Sequence, residues 1–320
     1  NLENKMLSDP LFIISIVGMS SCLIYWIIHT VNEGVEDTFL IKNLSTISTI
    51  FGLLMLVSIF LNAGDLGIIL FIGSIIALIV LLIGILLKNS TIIASSRGYF
   101  IPIFLIFILR TFIYEPYQIP SGSMLPGLKD GDFLLVNKHS FGTKINRIGK
   151  PFALDSNPSY GDVVVFIPPH NPVPYVKRLI GKPGDSVRVV NKQIFINGTP
   201  IKKNFHKTEE ETITRRYRDS SGVITVKEID VVVDFYFENH GEVDYLTRNI
   251  RGQNTQYPSE WTVPKGHYFV MGDNRDNSND STKDVGFVPR ENFFGKADYL
   301  FMTWECWACI PSFSRTGKIN

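Results

Sequence analysis

Residues 66–87 read LGIILFIGSIIALIVLLIGILL, a run without a single charge. A hydrocarbon core takes about 20 helical residues to cross, so this stretch is long enough to span a bilayer. Three further apolar runs surround it, at 11–28, 44–61 and 99–114. The first two are broken only by small polar residues and Tyr25. The last is short and carries Arg110, whose guanidinium can reach the interface from near the end of the run. Residues 1–114 are therefore predicted to be a membrane anchor of about four transmembrane helices. A cleaved leader is not expected, because the apolar runs recur and none precedes a small-residue cleavage site.

The loops set the expected orientation. Lys88 and Arg97 flank the connection between the third and fourth runs, which the positive-inside bias places in the cytoplasm. The connection at 31–43 falls on the same side, although it carries Glu33, Glu36 and Asp37 against Lys42; acidic residues weigh little in this rule. The fourth span then leads outward, and everything after Tyr114 is expected outside the cytoplasm.

The overall hydrophobic fraction of 45% would suit a soluble globule, but it averages an apolar front with a mixed, aqueous remainder. A formal net charge of +1 gives no sign of nucleic acid or a polyanionic substrate. From Gly131 the pattern is β-rich. GDFLLVN at 131–137 and GDVVVFI at 161–167 each set Gly-Asp before a β-branched or aromatic run. Residues 186–201 alternate and contain Asn197-Gly198, a hairpin signal. Further strands are expected at 223–226, 231–237, 267–271 and 297–303. Between 205 and 260 the chain is more charged, with Glu209, Glu210 and Glu211 followed by Arg215, Arg216 and Arg218. This segment is predicted to be an inserted lobe on a β domain formed by 115–204 and 261–320. The expected fold class is thus N-terminal transmembrane helices followed by a mostly-β domain, of antiparallel sheets or a partly open barrel, with an inserted β-containing lobe.

Candidate chemistry is sparse. Cys22 sits in an apolar run and is expected to be a buried small side chain. Cys306 and Cys309 form a lone CxxC; zinc would need two more ligands, and a redox motif would need a thioredoxin-like unit. The pair is expected to be structural, disulfide-bonded if that end faces an oxidising compartment. The six histidines (His29, His139, His170, His206, His240 and His267) lack ligand spacing, and no GxSxG elbow supports a triad. The acidic cluster at 272–281 fails as a calcium loop. With Asp276 at position one, Ser281 falls where Gly is required and Phe287 where the bidentate Glu is required. Its Asp, Asn and Ser side chains suit a self-bonded loop.

A small-residue loop follows the last apolar run: YQIPSGSMLPGL at 117–128, with Ser121 and Ser123 between prolines. Alone it is either an ordinary turn or a nucleophile that needs a base. Lysine is a base only if burial lowers its pKa, and Lys177 in PYVKRLIGKPGD has the apolar neighbours Val176, Leu179 and Ile180 for that. Beside Arg178, and taken alone, it reads more readily as an ordinary solvated lysine.

Together these stretches resemble the bacterial type I signal peptidases, a Ser-Lys dyad serine protease family. The motifs are FIYEPYQIPSGSMLPGL at 112–128, GDVVVF at 161–166, YVKRLIGKPGD at 175–185, HYFVMGDNRDNSNDS at 267–281 and GFVP at 286–289, in the family's order behind a membrane span. The resemblance implies that Ser123 is the nucleophile and Lys177 the general base. It implies that Ser121 shares the oxyanion hole with the N–H of Ser123, and that Ser278 hydrogen-bonds and orients the lysine. It gives Asp273, Arg275 and Asp280 supporting roles, with no metal and no cofactor. The implied activity is removal of signal peptides from exported preproteins after an Ala-X-Ala-like pattern. The implied setting is the bacterial cytoplasmic (inner) membrane, multi-pass, with the catalytic domain periplasmic, in contact with phospholipid and near the secretion translocase. Two departures stand out. Gly127 occupies the usual threonine position, and Asp280 is followed by Ser281, Thr282 and Lys283 where the family pattern is Ser-Arg, with one residue extra before Gly286. Two other classes fit a membrane-anchored β domain of this kind: a non-catalytic receptor or assembly factor, and a dedicated processing peptidase with the same Ser-Lys chemistry.

Overall fold

The computed structural model describes residues 8–32, 39–61, 66–142, 150–151, 153, 155–171, 173–218, 224–253, 260–306 and 308–320. Glu33, Glu36 and Asp37 of the first connection and Val223 of one expected strand lie outside the described residues. The chain divides into two compact units, residues 1–111 and 112–320.

The first unit is helical: α1 (Pro10–Val31), α2 (Phe39–Leu61), α3 (Leu66–Leu86) and α4 (Ser90–Ile108), the last running into a π-helical turn at Leu109–Ile113. α1, α2 and α4 start before their apolar runs because backbone bonding does not stop where side chains turn polar, whereas α3 coincides with its run to within one residue. α4, capped by Asn89, begins at Ser90, nine residues before the expected start, since its first turns carry Ser90, Thr91, Ser95, Ser96 and Arg97. Hydroxyls within the helices bond back to carbonyls one turn earlier, Ser15 to Leu11 at 2.7 Å and Ser96 to Ile92 at 2.6 Å, which suits polar atoms in a segment facing hydrocarbon. By length and composition Pro10–Val31, Ile69–Leu86 and Ser90–Ile113 can cross a membrane; α2 offers the shorter apolar run Lys42–Ser58.

The second unit is built on a mostly antiparallel half-barrel sheet. Its strands are β1 (Tyr114–Gln118), β2 (Asp132–Asn137), β3 (Val163–Phe166), β4 (Tyr175–Gly181), β12 (His267–Met271), β13 (Val288–Pro289), β14 (Phe293–Thr303) and β15 (Gly317–Lys318). Their order is β1-β2-β14-β3-β4-β12-β13, with β15 on β14. The central strands are covered on both faces, which explains their unbroken apolar runs. Val163 and Val165 pack with Met124, Leu134, Val136 and Phe294, whereas Val164 and Phe166 pack with Leu179, Val270 and Phe293. A smaller sheet of β5 (Ser186–Val190), β6 (Gln193–Ile196), β7 (Thr199–Pro200) and β11 (Trp261–Thr262) adds a third cluster through Val187, Ile194, Phe269 and Met271. The 186–201 segment makes two tight turns rather than one, because Asn191 and Lys192 adopt positive φ as well as Asn197.

Residues of the expected lobe form a third sheet, β10-β9-β8, from β8 (Lys202–Arg218), β9 (Ile224–His240) and β10 (Val243–Ile250). The two short strands expected in its middle merge into β9, since β8 pairs with it along its length, from Lys202–Asn239 to Arg218–Ile224. Val233, Phe235 and Ile250 bury the lobe's own core.

Gly131 closes the loop between β1 and β2. Its φ is +84°, and a Cβ there would lie 2.9 Å from Trp304 O and 3.1 Å from Glu305 Cα. Gly184 has φ +92° but open space around it. Gly131→Ala should therefore destabilise the second unit by about 2 kcal/mol or more, and Gly184→Ala by about 1 kcal/mol. Thermal unfolding of the detergent-solubilised chain measures both, and equal shifts would contradict the close packing at Gly131.

Candidate active site

The loop between β1 and β2 is pinned at both ends. Ile119 N donates to Asp132 O at 2.8 Å and Gly131 N to Ile119 O at 3.0 Å, while Ile119, Met124 and Leu128 anchor the loop in the core. Between these anchors Gly122–Met124 makes a single 3₁₀ turn that carries Ser123, half-buried. Ser121 precedes the turn; its side chain is exposed and does not cap it.

Lys177 comes from β4, opposite the fully buried Val164 of β3, and is itself 4% exposed. Its Nζ lies 2.7 Å from Ser123 Oγ and donates to Val176 O at 2.9 Å. Burial lowers its pKa from 10.5 to about 8, against the opposing pull of the Asp280 and Asp273 carboxylates. An amine deprotonated in the neutral to mildly alkaline range and in hydrogen-bond reach of a hydroxyl can take that hydroxyl's proton. Histidine does not enter this arrangement: among the described residues, Ser123 Oγ is bonded to Lys177, and the buried His240 is engaged with Ile180 O at 2.7 Å.

The loop after β12 supports the serine from behind. Asn274 N donates to Ser123 O at 3.1 Å, and Asn274 Nδ2 to Gly122 O at 2.9 Å. Gly272 sits where the chains come closest; a Cβ there would overlap Ser278 Oγ and lie 2.5 Å from Ser123 O. Ser278 is thus brought beside the serine backbone, but it is not bonded to Lys177. Its buried Oγ has no hydrogen-bond partner among the described residues. Asp273 receives Arg178 in a two-pronged pair at 2.8 and 2.7 Å, both side chains buried, with the guanidinium 3.8 Å from the Tyr245 ring centre. Arg275 pairs in the same fashion with Glu238 of β9, at 3.0 and 2.6 Å. Asp280 accepts from Gly272 N at 3.0 Å and from the Thr282 hydroxyl at 2.6 Å.

The two departures from the family pattern are accommodated locally. Thr282 occupies Asp280, and Lys283 reaches back to Ser278 O at 2.7 Å. A Cβ at Gly127 would meet Met124 O at 3.7 Å and Asp273 Oδ2 at 3.9 Å, so a larger side chain has room there. Arg178, Asn274 and Glu238 were not among the residues singled out from sequence. Asn274 stands inside a quoted motif, whereas Glu238 in a charged strand gives no sign of where its side chain ends.

A family model described as signal peptidase, peptidase S26, matches residues 92–304, an interval holding every residue of this site. A signal peptidase I of Pseudomonas fluorescens is 38% identical over 247 residues, spanning 73% of this chain and 81% of that relative. One from Pseudomonas aeruginosa is 36% identical over 247 residues, with the same coverage. The chain belongs to the signal peptidase family, peptidase S26. A crystal structure of a signal peptidase I from Enterococcus faecalis V583 is 25% identical, covering 44% of this chain and 97% of that one at a TM-score of 0.25. As an S26 peptidase the chain is a serine endopeptidase, a hydrolase.

The close approach at Gly272 gives a direct test in this peptidase. Gly272→Ala should push Ser123 out of line and lower kcat/KM by about a hundredfold, as ångström misplacements do. A wild-type rate from correctly folded Gly272→Ala would contradict the geometry.

Proposed function

We propose that the chain is a membrane-bound endopeptidase that removes N-terminal signal peptides from exported preproteins, with Ser123 as nucleophile and neutral Lys177 as general base. The observation that carries this is the 2.7 Å separation of Lys177 Nζ and Ser123 Oγ at a lysine buried from water. Lys177 takes the Ser123 proton as Oγ attacks the scissile carbonyl, and returns it to the leaving amine. The serine ester that remains is hydrolysed by water activated by the same amine. The Ser121 hydroxyl and the Ser123 N–H stabilise the oxyanion, each donor contributing on the order of 3 kcal/mol. Ser278, Asp273, Arg275 and Asp280 hold the frame around the dyad. Cleavage follows small residues in an Ala-X-Ala-like pattern.

The enzyme works from the bacterial inner membrane as a multi-pass protein with the β domain on the periplasmic side, beside phospholipid and near the secretion translocase. The apolar helices, Lys88 just before α4 and Arg97 in the N-terminal half of that helix support that placement. The Cys306–Cys309 disulfide supports it too, since such bonds persist in oxidising compartments.

Ser123→Ala and Lys177→Ala should each lower turnover of a preprotein by at least ~10³-fold. Wild-type turnover by both would sink the mechanism. The pH profile is a second check. Because the base is the deprotonated amine, kcat/KM should level above pH 8 and fall about tenfold per unit below it, with an acid limb at the pKa of about 8. A limb at the ordinary lysine value would mean that the base is not this buried amine.

A further inference from the structure

The lobe is tied to the serine by a continuous path of directional bonds. Glu238, near the end of β9, is 1% exposed and receives both terminal nitrogens of Arg275. From β10, Thr247 Oγ1 at 3.2 Å and Tyr245 Oη at 3.3 Å donate to the same carboxylate. The backbone of β10 makes a second grip. Arg275 N donates to Arg248 O at 3.1 Å and Arg248 N to Asp273 O at 3.0 Å, so Arg248 brackets Asn274 in a short parallel bridge. Asn274 then carries the hold to the carbonyls of Gly122 and Ser123. A buried ion pair of this kind commonly adds little stability over apolar side chains of the same volume. What a two-pronged guanidinium–carboxylate fork supplies is fixed geometry.

We propose that Glu238, contributed by the inserted lobe, is a positioning residue for the Ser123 loop, acting through Arg275 to hold residues 273–275 in the register that Asn274 requires. The inference rests on the Ser123–Lys177 mechanism above. Glu238 does not touch Ser123 Oγ or the lysine. Its loss lets the nucleophile drift from the base while the rest of the substrate cleft stays in place, so the chemical step suffers and substrate binding does not.

The test uses the full-length chain in detergent with a preprotein substrate, separating kcat from KM and scaling rates to the folded fraction from thermal unfolding. Glu238→Gln keeps the shape and removes the charge. Since that deprives a buried guanidinium of its carboxylate and threatens folding, the double replacement Glu238→Met with Arg275→Met removes both charges and keeps an apolar fill. Both should lower kcat by about tenfold or more with KM within about twofold of wild type, and Glu238→Asp should fall between. A wild-type kcat in the folded double variant, or in folded Glu238→Gln, would overturn the proposal and reduce Glu238 to a packing role. Failure of the underlying mechanism is seen separately, as activity retained by both Ser123→Ala and Lys177→Ala.

Discussion

The site depends on one amine kept out of water. Lowering the Lys177 pKa from 10.5 to about 8 makes its charged form less favourable by on the order of 3 kcal/mol relative to a free lysine. The sheet supplies that by setting Lys177 in a strand with neighbours on both sides, opposite Val164 and only 4% exposed, so that an ammonium there is poorly solvated. Everything acidic nearby works against it. Asp273 and Asp280 raise the pKa, yet both are needed to hold the loop after β12, and each is kept in place by its own donors: Arg178 for the first, Gly272 N and Thr282 for the second. The lysine is therefore a compromise between a dry strand and a structured acidic loop.

Placement of the serine is a backbone matter. Ser123 lies in a turn of three residues, too short to hold itself, and its carbonyl is taken by the N–H of Asn274 while Gly272 leaves room for the approach. Only glycine lets the loop after β12 come that close. Ser123, in the loop between β1 and β2, and Lys177, on β4, are thus brought together by one sheet, and the distance between them is held by a segment from a third part of the chain. That segment is in turn braced by β10 and Glu238.

What was legible in the sequence divides along physical lines. Long apolar runs mark the helices because crossing hydrocarbon requires them, and Gly-Asp before a β-branched run marks β2 and β3 because a turn must precede a buried strand. Ser123 and Lys177 became legible only when several motifs were taken together, since neither serine nor lysine announces its burial. Helix ends, the merged β9 and the double turn at 191–198 escaped, because they depend on pairing and caps rather than on hydrophobicity. Glu238 escaped for a further reason. A glutamate in a charged strand reads as solvated, and only the register of β9 against β8 and β10 turns it inward. The expected bond from Ser278 to Lys177 does not form among the described residues; the buried Ser278 Oγ packs against Gly272 instead.

The change after Asp280 bears on the same compromise. The signal peptidase pattern sets an arginine two residues after the aspartate, and a guanidinium there would both bond the carboxylate and cancel much of its charge. Thr282 supplies the bond at 2.6 Å and no charge, while Lys283 spends its ammonium on Ser278 O. Asp280 is the larger of the two carboxylate influences that hold the Lys177 proton on. With a hydroxyl in place of a cation, less of that field is offset, and burial in β4 has to outweigh it. The dryness of the strand is thus more decisive in this chain than the acidic loop's donors alone would make it.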